Sequence, residues 1–417
     1  MFRFIHSADW QLGARFSQFG TRGARLRETR IVTLRRTLGL AREHDVDAFL
    51  IAGDLFEDNQ VDDALVSTVL ELFREHASVP IFILPGNHDP FTGPDSVWQR
   101  KAFRAAPAHV RVLSEPVAID LGGVFLLASP LQQKLSTLDP SLRFVGLAAA
   151  LPSGAIKIGL THGALAIDGK HQPNDFPIAL NAASRAGLDY LAIGHWHNWL
   201  ADTDGGRIVI PGTPEPDRFS NDASGHVALV EIAGQGQQPN VKPLPVNTLT
   251  WRSLTFDFLS PESSRSSLES ALAELRQTAG RAVVRVAFTG TVSPKLFADT
   301  RNSIEAALTP FLVGQVVDRT RIALSISELA DLTSRHPILA QTLADIDRLE
   351  SLATGETQAM AAAPSDAGSP ETTQLALTLA EVQALLSPSK IDLASLTPEF
   401  FSHLRQLLLQ TLQEVAP

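Results

Sequence analysis

The sequence predicts an α/β protein, and three observations carry that expectation. Short β-rich apolar runs alternate with helical patterns through the first half of the 417 residues. Several runs end directly in Asp, Asn or His, and open α/β sheets place their ligands just past strand C-termini. A second, smaller succession of strands and helices follows a proline-marked break near residue 243.

The expected strands in the first half are Phe2–His6, Ala48–Ala52, Pro80–Leu84, Val124–Ala128, Ile156–Leu160, Tyr190–Ile193, Ile208–Ile210 and Val227–Ile232. Helices are expected at Ala24–His44 and Asp62–His76, with Ile31, Leu34, Leu38 and Ala41 at helical spacing. Pro243 and Pro245 mark a linker, so residues 1–243 form the first domain. Residues 250–325 read as a compact α+β cap: strand Ser253–Phe258, helix Ser264–Thr278, strand Ala282–Phe288, helix Pro294–Leu308, strand Leu312–Val317. A helical segment is expected over 326–352, and the Ala, Ser, Thr, Gly and Pro-rich stretch 353–372 should be a flexible linker. In the helical C-terminal segment, 373–417, Phe401, Leu404, Leu408, Leu412 and Val415 recur at spacings of three and four. Such a stripe suits docking on a partner, or packing back onto the chain's own cap.

Length suggests two or three domains. The absence of cysteine excludes disulfides and thiolate-ligated zinc, so any metal must use His, Asp, Asn or Gln. The start MFRFIHSADW lacks the features of a secretion signal and no apolar run reaches about 18 residues, so a cytoplasmic protein without a membrane span is expected. The formal charge of −10 argues against a generic nucleic-acid coat. Its distribution matters more: residues 326–417 carry 12 acidic and 4 basic side chains, leaving residues 1–325 nearly neutral. Within residues 1–42, nine arginines face only Asp9 and Glu28. That pole is a solvated helix face unless a cleft beside it takes phosphate.

Five segments carry chemistry: S-A-D9-W-Q11, A-G-D54-L-F, P-G-N87-H88-D89, L-T-H162-G and G-H195-W-H197-N. Each offers an oxygen or imidazole at a turn after an expected strand. Mn²⁺, Mg²⁺, Fe²⁺ or Zn²⁺ suit such a mixed carboxylate, amide and imidazole set. Two such ions about 3.5–4 Å apart can polarise a phosphate, activate water and neutralise a leaving oxygen. Taken singly, GD or GH dipeptides arise by chance and an isolated His is usually structural. The ordered combination GD…GNHD…HG…GHxH is specific.

With HSADWQLG, the Arg-rich stretch containing Arg22, Arg25 and Glu28, DAFLIAGDLFED, PIFILPGNHD, LDYLAIGHWHN and IPGTPE, the chain resembles the calcineurin-like metallophosphoesterases. More closely it resembles the SbcD-type DNA repair exonuclease subunits. The resemblance covers about residues 1–235 and reaches the cap only by position. It implies a β-sandwich flanked by helices, a two-metal phosphodiesterase, DNA as substrate and a coiled-coil ATPase partner of the SbcC type, with a homodimer also allowed. It implies one ion, most often Mn²⁺, at Asp9, position 11 and His197. The other would sit at Asn87, His162 and His195, with Asp54 bridging. His88 would protonate the leaving oxygen, and Asp89 is read as orienting its loop.

Gln11 departs from the family's D-x-H pattern, and a neutral amide should hold the first ion more weakly than imidazole. Arg15, Arg22 and Arg25 are candidates for phosphate contact, against a solvated helix start. Trp196 and Trp199 either stack on bases or wall the site. His171, in the loop GKHQPND, is read as a loop histidine, and His6 as a packing residue. No G-x-x-x-x-G-K-[ST] loop occurs, so any ATP use must come from another chain. Competing readings are a nucleotide or small-molecule phosphodiesterase or phosphatase, and a non-catalytic scaffold motivated by Gln11.

Overall fold

The computed structural model describes residues 1–76, 79–221, 223–322, 334, 337–354, 401 and 404. It divides into two compact units, one of residues 1–254, 272–285 and 308–315, the other of 255–271, 286–307 and 316–417.

The first unit contains β1 (Phe2–Ser7), α1 (Gly23–Glu43), β2 (Ala48–Ala52), α2 (Asp63–Glu75), β3 (Ile81–Leu84), α3 (Lys101–Arg104), β4 (Val110–Val112), β5 (Val117–Asp120) and β6 (Val124–Ser129). It continues with α4 (Arg143–Ala149), β7 (Ile156–His162), α5 (Ala182–Ala186), β8 (Tyr190–Gly194), β9 (Leu200–Thr203), β10 (Ile208–Ile210), β11 (His226–Ile232) and β12 (Asn240–Pro245). These strands form two six-stranded sheets, ordered β12-β11-β1-β2-β3-β4 and β5-β6-β7-β8-β10-β9.

Side-chain alternation explains why the central strands read as unbroken apolar runs: each is buried on both faces. Along β2, Phe49 and Ile51 join a cluster with Leu34 and Leu38 of α1 and Val66 and Phe73 of α2. The intervening Ala48, Leu50 and Ala52 pack against Leu126, Leu160 and Ala192 of the second sheet. On the far side of that sheet, Leu191 and Ile193 meet Phe144 of α4 and Ala182 and Ala183 of α5. The result is a sandwich of two sheets with helices outside each, the mixed α/β class the sequence predicts. Each fully buried Leu, Ile or Phe contributes about 1.5–3 kcal/mol.

β1, β2, β3 and β4 run parallel in the first sheet, and β6, β7, β8 and β10 in the second. Their C-terminal ends therefore gather at one edge of each sheet. Four strands escape the sequence reading: β4, β5, β9 and β12. The proposed linker around Pro243 is in fact β12, paired antiparallel with β11 from His226↔Pro245 to Glu231↔Asn240. It lies at the sheet edge, where prolines lacking an N–H are tolerated, which is why a linker was the natural reading.

Residues 250–322 carry β13 (Thr250–Asp257), α6 (Pro261–Leu275), β14 (Ala282–Thr289), β15 (Thr291–Val292), α7 (Pro294–Leu308), β16 (Val313–Asp318) and β17 (Arg321–Ile322). The succession strand, helix, strand, helix, strand matches the expected order, with the β15/β17 pair added. Phe256, Phe258, Phe288 and Phe297 form an aromatic cluster with ring centroids 5.1–6.4 Å apart. A further helix spans Pro337–Thr354. Most of the expected linker 353–372, and of the segment 373–417 apart from Phe401 and Leu404, lies outside the described residues. Among the described residues no helix is long and apolar enough to cross a membrane.

Candidate metal centre

Asp9 and Gln11 follow β1, Asp54 follows β2, and Asn87 and His88 follow β3. His162 ends β7, and His195 and His197 follow β8. Parallel strand ends thus bring residues more than 180 positions apart into one group. Ligand atoms of Asp9, Asp54 and His162, all buried, lie within 4.8 Å of one another. Around them, Asn87 Oδ1 stands 2.8 Å from His162 Nε2 and 3.0 Å from His195 Nδ1. His162 Nε2 is 3.3 Å from Asp54 Oδ2, and Gln11 Nε2 is 3.3 Å from His197 Nε2. All seven ligand candidates read from the sequence therefore meet at one place.

The glycines of the GD and GN pairs explain how the loops come so close. A Cβ on Gly86 would collide with the Asp54 carboxylate and backbone nitrogen. A Cβ on Gly53, whose φ is +90°, would collide with the His162 ring. Strain is concentrated here as well: Asp9, Gln11, Asp54 and His195 have φ of 53°, 43°, 53° and 124°. A non-glycine residue held there costs on the order of 1–3 kcal/mol and persists only where its surroundings enforce it.

Each imidazole has one nitrogen engaged behind it. His162 Nδ1 lies 2.8 Å from the Ala52 carbonyl, His195 Nε2 2.8 Å from Asp175 Oδ2, and His197 Nδ1 3.2 Å from Asp217 Oδ2. A proton on each of those nitrogens leaves the other nitrogen, facing the cluster, with its lone pair free. That orientation is the one metal-ligating histidines take. The chemistry of this carboxylate, amide and imidazole set fits divalent cations, which these residues would hold.

Electrostatics point the same way. Burial opposes the charged ring of His162, yet Asp54 lifts it to about 9. Burial likewise opposes ionised Asp54, but His162, by charge and hydrogen bond, holds it well below the usual carboxylate range. Burial raises Asp9. His197 is raised against burial by the Asp217 hydrogen bond and the Asp9 charge. A proton on His162 thus stands where a cation would, and binding there must displace it.

Asp89 is buried beneath the third ligand turn. Its Oδ1 accepts the Gly86 N–H at 2.7 Å and its Oδ2 the Phe56 N–H at 2.9 Å, tying the Asn87 loop to the Asp54 loop. Burial, then the Asp54 charge, pushes Asp89 up to about 7 against those two bonds. His88 donates its own N–H to Asp54 Oδ1, and its ring Nδ1 lies 2.9 Å from the Glu57 carbonyl.

A cleft of about 1080 Å³ opens over this group, lined by Gln11, Asp54, His88, His195 and His197. Arg15 lines it, but Arg22 and Arg25 do not, and Arg25 pairs instead with Glu28 at 3.4 Å. Of the nine N-terminal arginines, Arg30 is buried, donating to the carbonyls of Trp10 and Glu215. Trp196 and Trp199 line the cleft. His171 stays within its own loop, its Nδ1 2.9 Å from the Ile167 carbonyl. His6 is packed in the core, with Nδ1 2.9 Å from the Tyr190 hydroxyl. The sequence reading missed Asp175, Asp217, Lys170 and Arg218. Asp175 sits in the polar loop GKHQPND, and Asp217 follows IPGTPE; neither carries a motif that signals its partner.

Residues 2–199 match the family model described as calcineurin-like phosphoesterase. The chain is 22% identical to the uncharacterized metallophosphoesterase YhaO of Bacillus subtilis (strain 168), over 83% of this chain and 87% of that protein. It is 30% identical to the human double-strand break repair protein MRE11, over 16% of this chain and 14% of that one. Among solved structures, TT1561 of Thermus thermophilus aligns with a TM-score of 0.39 at 11% identity, covering 58% of this chain and 98% of that chain. A dimetal phosphatase from Danio rerio aligns with a TM-score of 0.37 at 14% identity, with the same coverage.

Proposed function

We propose that this chain is a two-metal phosphodiesterase acting on DNA, working as the exonuclease subunit of a repair complex. The observation that carries the proposal is the convergence of the Asp9, Gln11 and His197 set with the Asn87, His162 and His195 set on Asp54, beside a non-ligand histidine in an open cleft. Asp9, Gln11 and His197 would hold one ion and Asn87, His162 and His195 the other, most often Mn²⁺, with Mg²⁺, Fe²⁺ or Zn²⁺ as alternatives. Such a pair supplies Lewis-acid polarisation of the phosphate and activation of water.

The chain's own residues do the rest. With its Nδ1–H donated to the Glu57 carbonyl, His88 has Nε2 free to carry a proton toward the leaving oxygen. Arg15, Lys170 and Arg218 on the cleft wall offer charge to flanking phosphates. The similarity of part of the chain to a double-strand break repair protein supports DNA as the substrate. The three- and four-residue spacing of Phe401, Leu404, Leu408, Leu412 and Val415 would suit docking on a coiled-coil ATPase, but Phe401 is itself buried within this chain, so the docking face would have to come from the later residues of the stripe.

A second reading is favoured by the mixed sign of the cleft, where Glu57, Asp58 and Asp217 stand among the cations. A continuous basic track would suit a polymer better, so a nucleotide or other small phosphoester is the alternative. End-labelled single- and double-stranded DNA, assayed with Mn²⁺ beside a chromogenic bis-ester, separates the two. Shortening of labelled DNA supports the nuclease; turnover of the small ester alone supports the alternative. No turnover of either refutes both.

A further inference from the structure

We infer that Asp217 is a positioning residue for His197 and that its carboxylate compensates for the weak donor Gln11 in the same metal set. The inference rests on the two-metal reading of the cluster. Asp217 stands behind His197, with Oδ2 3.2 Å from Nδ1. Gln11 stands in front, with its amide nitrogen 3.3 Å from Nε2. A ring with its proton on Nδ1 satisfies both contacts, because Nδ1–H donates to Asp217 while the Nε2 lone pair accepts from the amide. Rotating the Gln11 amide by half a turn would exchange its nitrogen for its oxygen, so ring and amide could then face one cation together.

The compensation is electrostatic. Asp9, Gln11 and His197 bring one full negative charge of their own, and a carboxylate hydrogen-bonded to the ring makes the imidazole a stronger donor. His162 has only the Ala52 carbonyl behind it, but its set is completed by His195, itself backed by Asp175. Asp217 thus serves the set that has an amide where a second imidazole is expected.

Asp217 is also held in place. Its Oδ1 accepts from Asn221 Nδ2 at 2.6 Å and from Arg218 Nε at 3.2 Å. Two residues earlier, the buried Glu215 anchors the loop. Its carboxylate accepts from the Thr33 hydroxyl and from the backbone N–H groups of Thr248 and Leu249, and its carbonyl accepts from Arg30 and Thr213. The Thr213 N–H in turn donates to the His197 carbonyl at 3.0 Å. The loop bearing Asp217 and the turn bearing His197 are therefore linked by a continuous series of hydrogen bonds, which restrains the ring orientation beyond the single side-chain contact.

The test is calorimetric titration of Mn²⁺ into the metal-stripped full chain, for the unaltered protein, Asp217→Asn, Asp217→Glu, Gln11→His and the double variant Gln11→His with Asp217→Asn. Asp217→Asn keeps an acceptor and the side-chain shape, and an unchanged melting temperature in chelator would show the fold intact. It should weaken the looser Mn²⁺ event about 10–100-fold and leave the tighter one unchanged. Asp217→Glu should recover part of that loss. In the Gln11→His background the loss should shrink several-fold, which a purely structural role would not produce. Equal weakening of both events, no weakening, or the same loss in both backgrounds would overturn the inference while leaving the two-metal reading intact. Failure of the unaltered chain to bind Mn²⁺ would overturn both.

Discussion

Replacing Asp89 by alanine tests whether one buried carboxylate holds two ligand loops together. Its two oxygens accept the N–H of Gly86, the residue before Asn87, and of Phe56, two residues after Asp54. Both bonds are buried. Truncation leaves two backbone donors without partners, at about 1–3 kcal/mol each, so a loss on the order of 4 kcal/mol is expected. Trp98 reports on the change directly. Its indole N–H donates to the Asp89 carbonyl, and its ring packs 5.7 Å from Phe56 and 4.9 Å from Phe103. Urea titration of metal-free protein, followed by tryptophan fluorescence, should show the transition move to markedly lower denaturant. Because Asn87 and His88 share the stapled turn, activity at saturating Mn²⁺ should also fall about 100-fold, as displacements near 1 Å produce. A variant within about 1 kcal/mol of the parent that binds both ions with unchanged affinity would refute the staple, since by this reasoning the two N–H groups have no other acceptor.

His88→Ala should lower the rate about 10²- to 10⁴-fold with bound metal unchanged by elemental analysis, because this histidine touches the cluster only through its backbone N–H. Metal loss in proportion to activity would contradict that role. Gln11→His should tighten the looser Mn²⁺ event and lower the Mn²⁺ concentration for half-maximal rate; two equally tight events in the parent would show that Gln11 limits nothing. His6 is lowered by burial from 6.5 to about 3, so the folded protein refuses a proton that the unfolded chain accepts. The contribution of His6 to stability is therefore full above pH 6.5 and is lost as pH falls toward 3, by about 2 kcal/mol at pH 5. His6→Gln should flatten that slope in urea titrations at pH 7 and 5, and an unchanged slope would assign the acid sensitivity elsewhere.

What could be read from the sequence follows from how locally each feature is encoded. The apolar runs of β2, β3, β7 and β8 are buried on both faces, so they stand out without any partner in view. The edge strands β5 and β12 do not. They are largely exposed, with no fully buried residue in Asn240–Pro245, and Pro243 and Pro245 outweigh a pairing visible only once β11 lies beside them. The same division runs through the candidate centre. Asp9, Asp54, Asn87, His162, His195 and His197 announce themselves because each ends or follows a strand and most stand next to a glycine that the crowded loops require.

Asp175 and Asp217 act on rings 20 residues away, through contacts that no spacing rule contains. Arginine shows the opposite error. Arg15, Arg22, Arg25 and Arg30 look alike in a basic stretch, yet Arg15 reaches the cleft, Arg25 pairs in solvent and Arg30 is buried under Trp10. Residue type and local spacing were enough to find the donor side chains that cluster, because a metal set would demand particular atoms. They were not enough to find the groups that orient those ligands, because any carboxylate or carbonyl at the right distance serves. The distance is a property of the folded loops, set here by Asp89 beneath one ligand turn and by Glu215 beneath another.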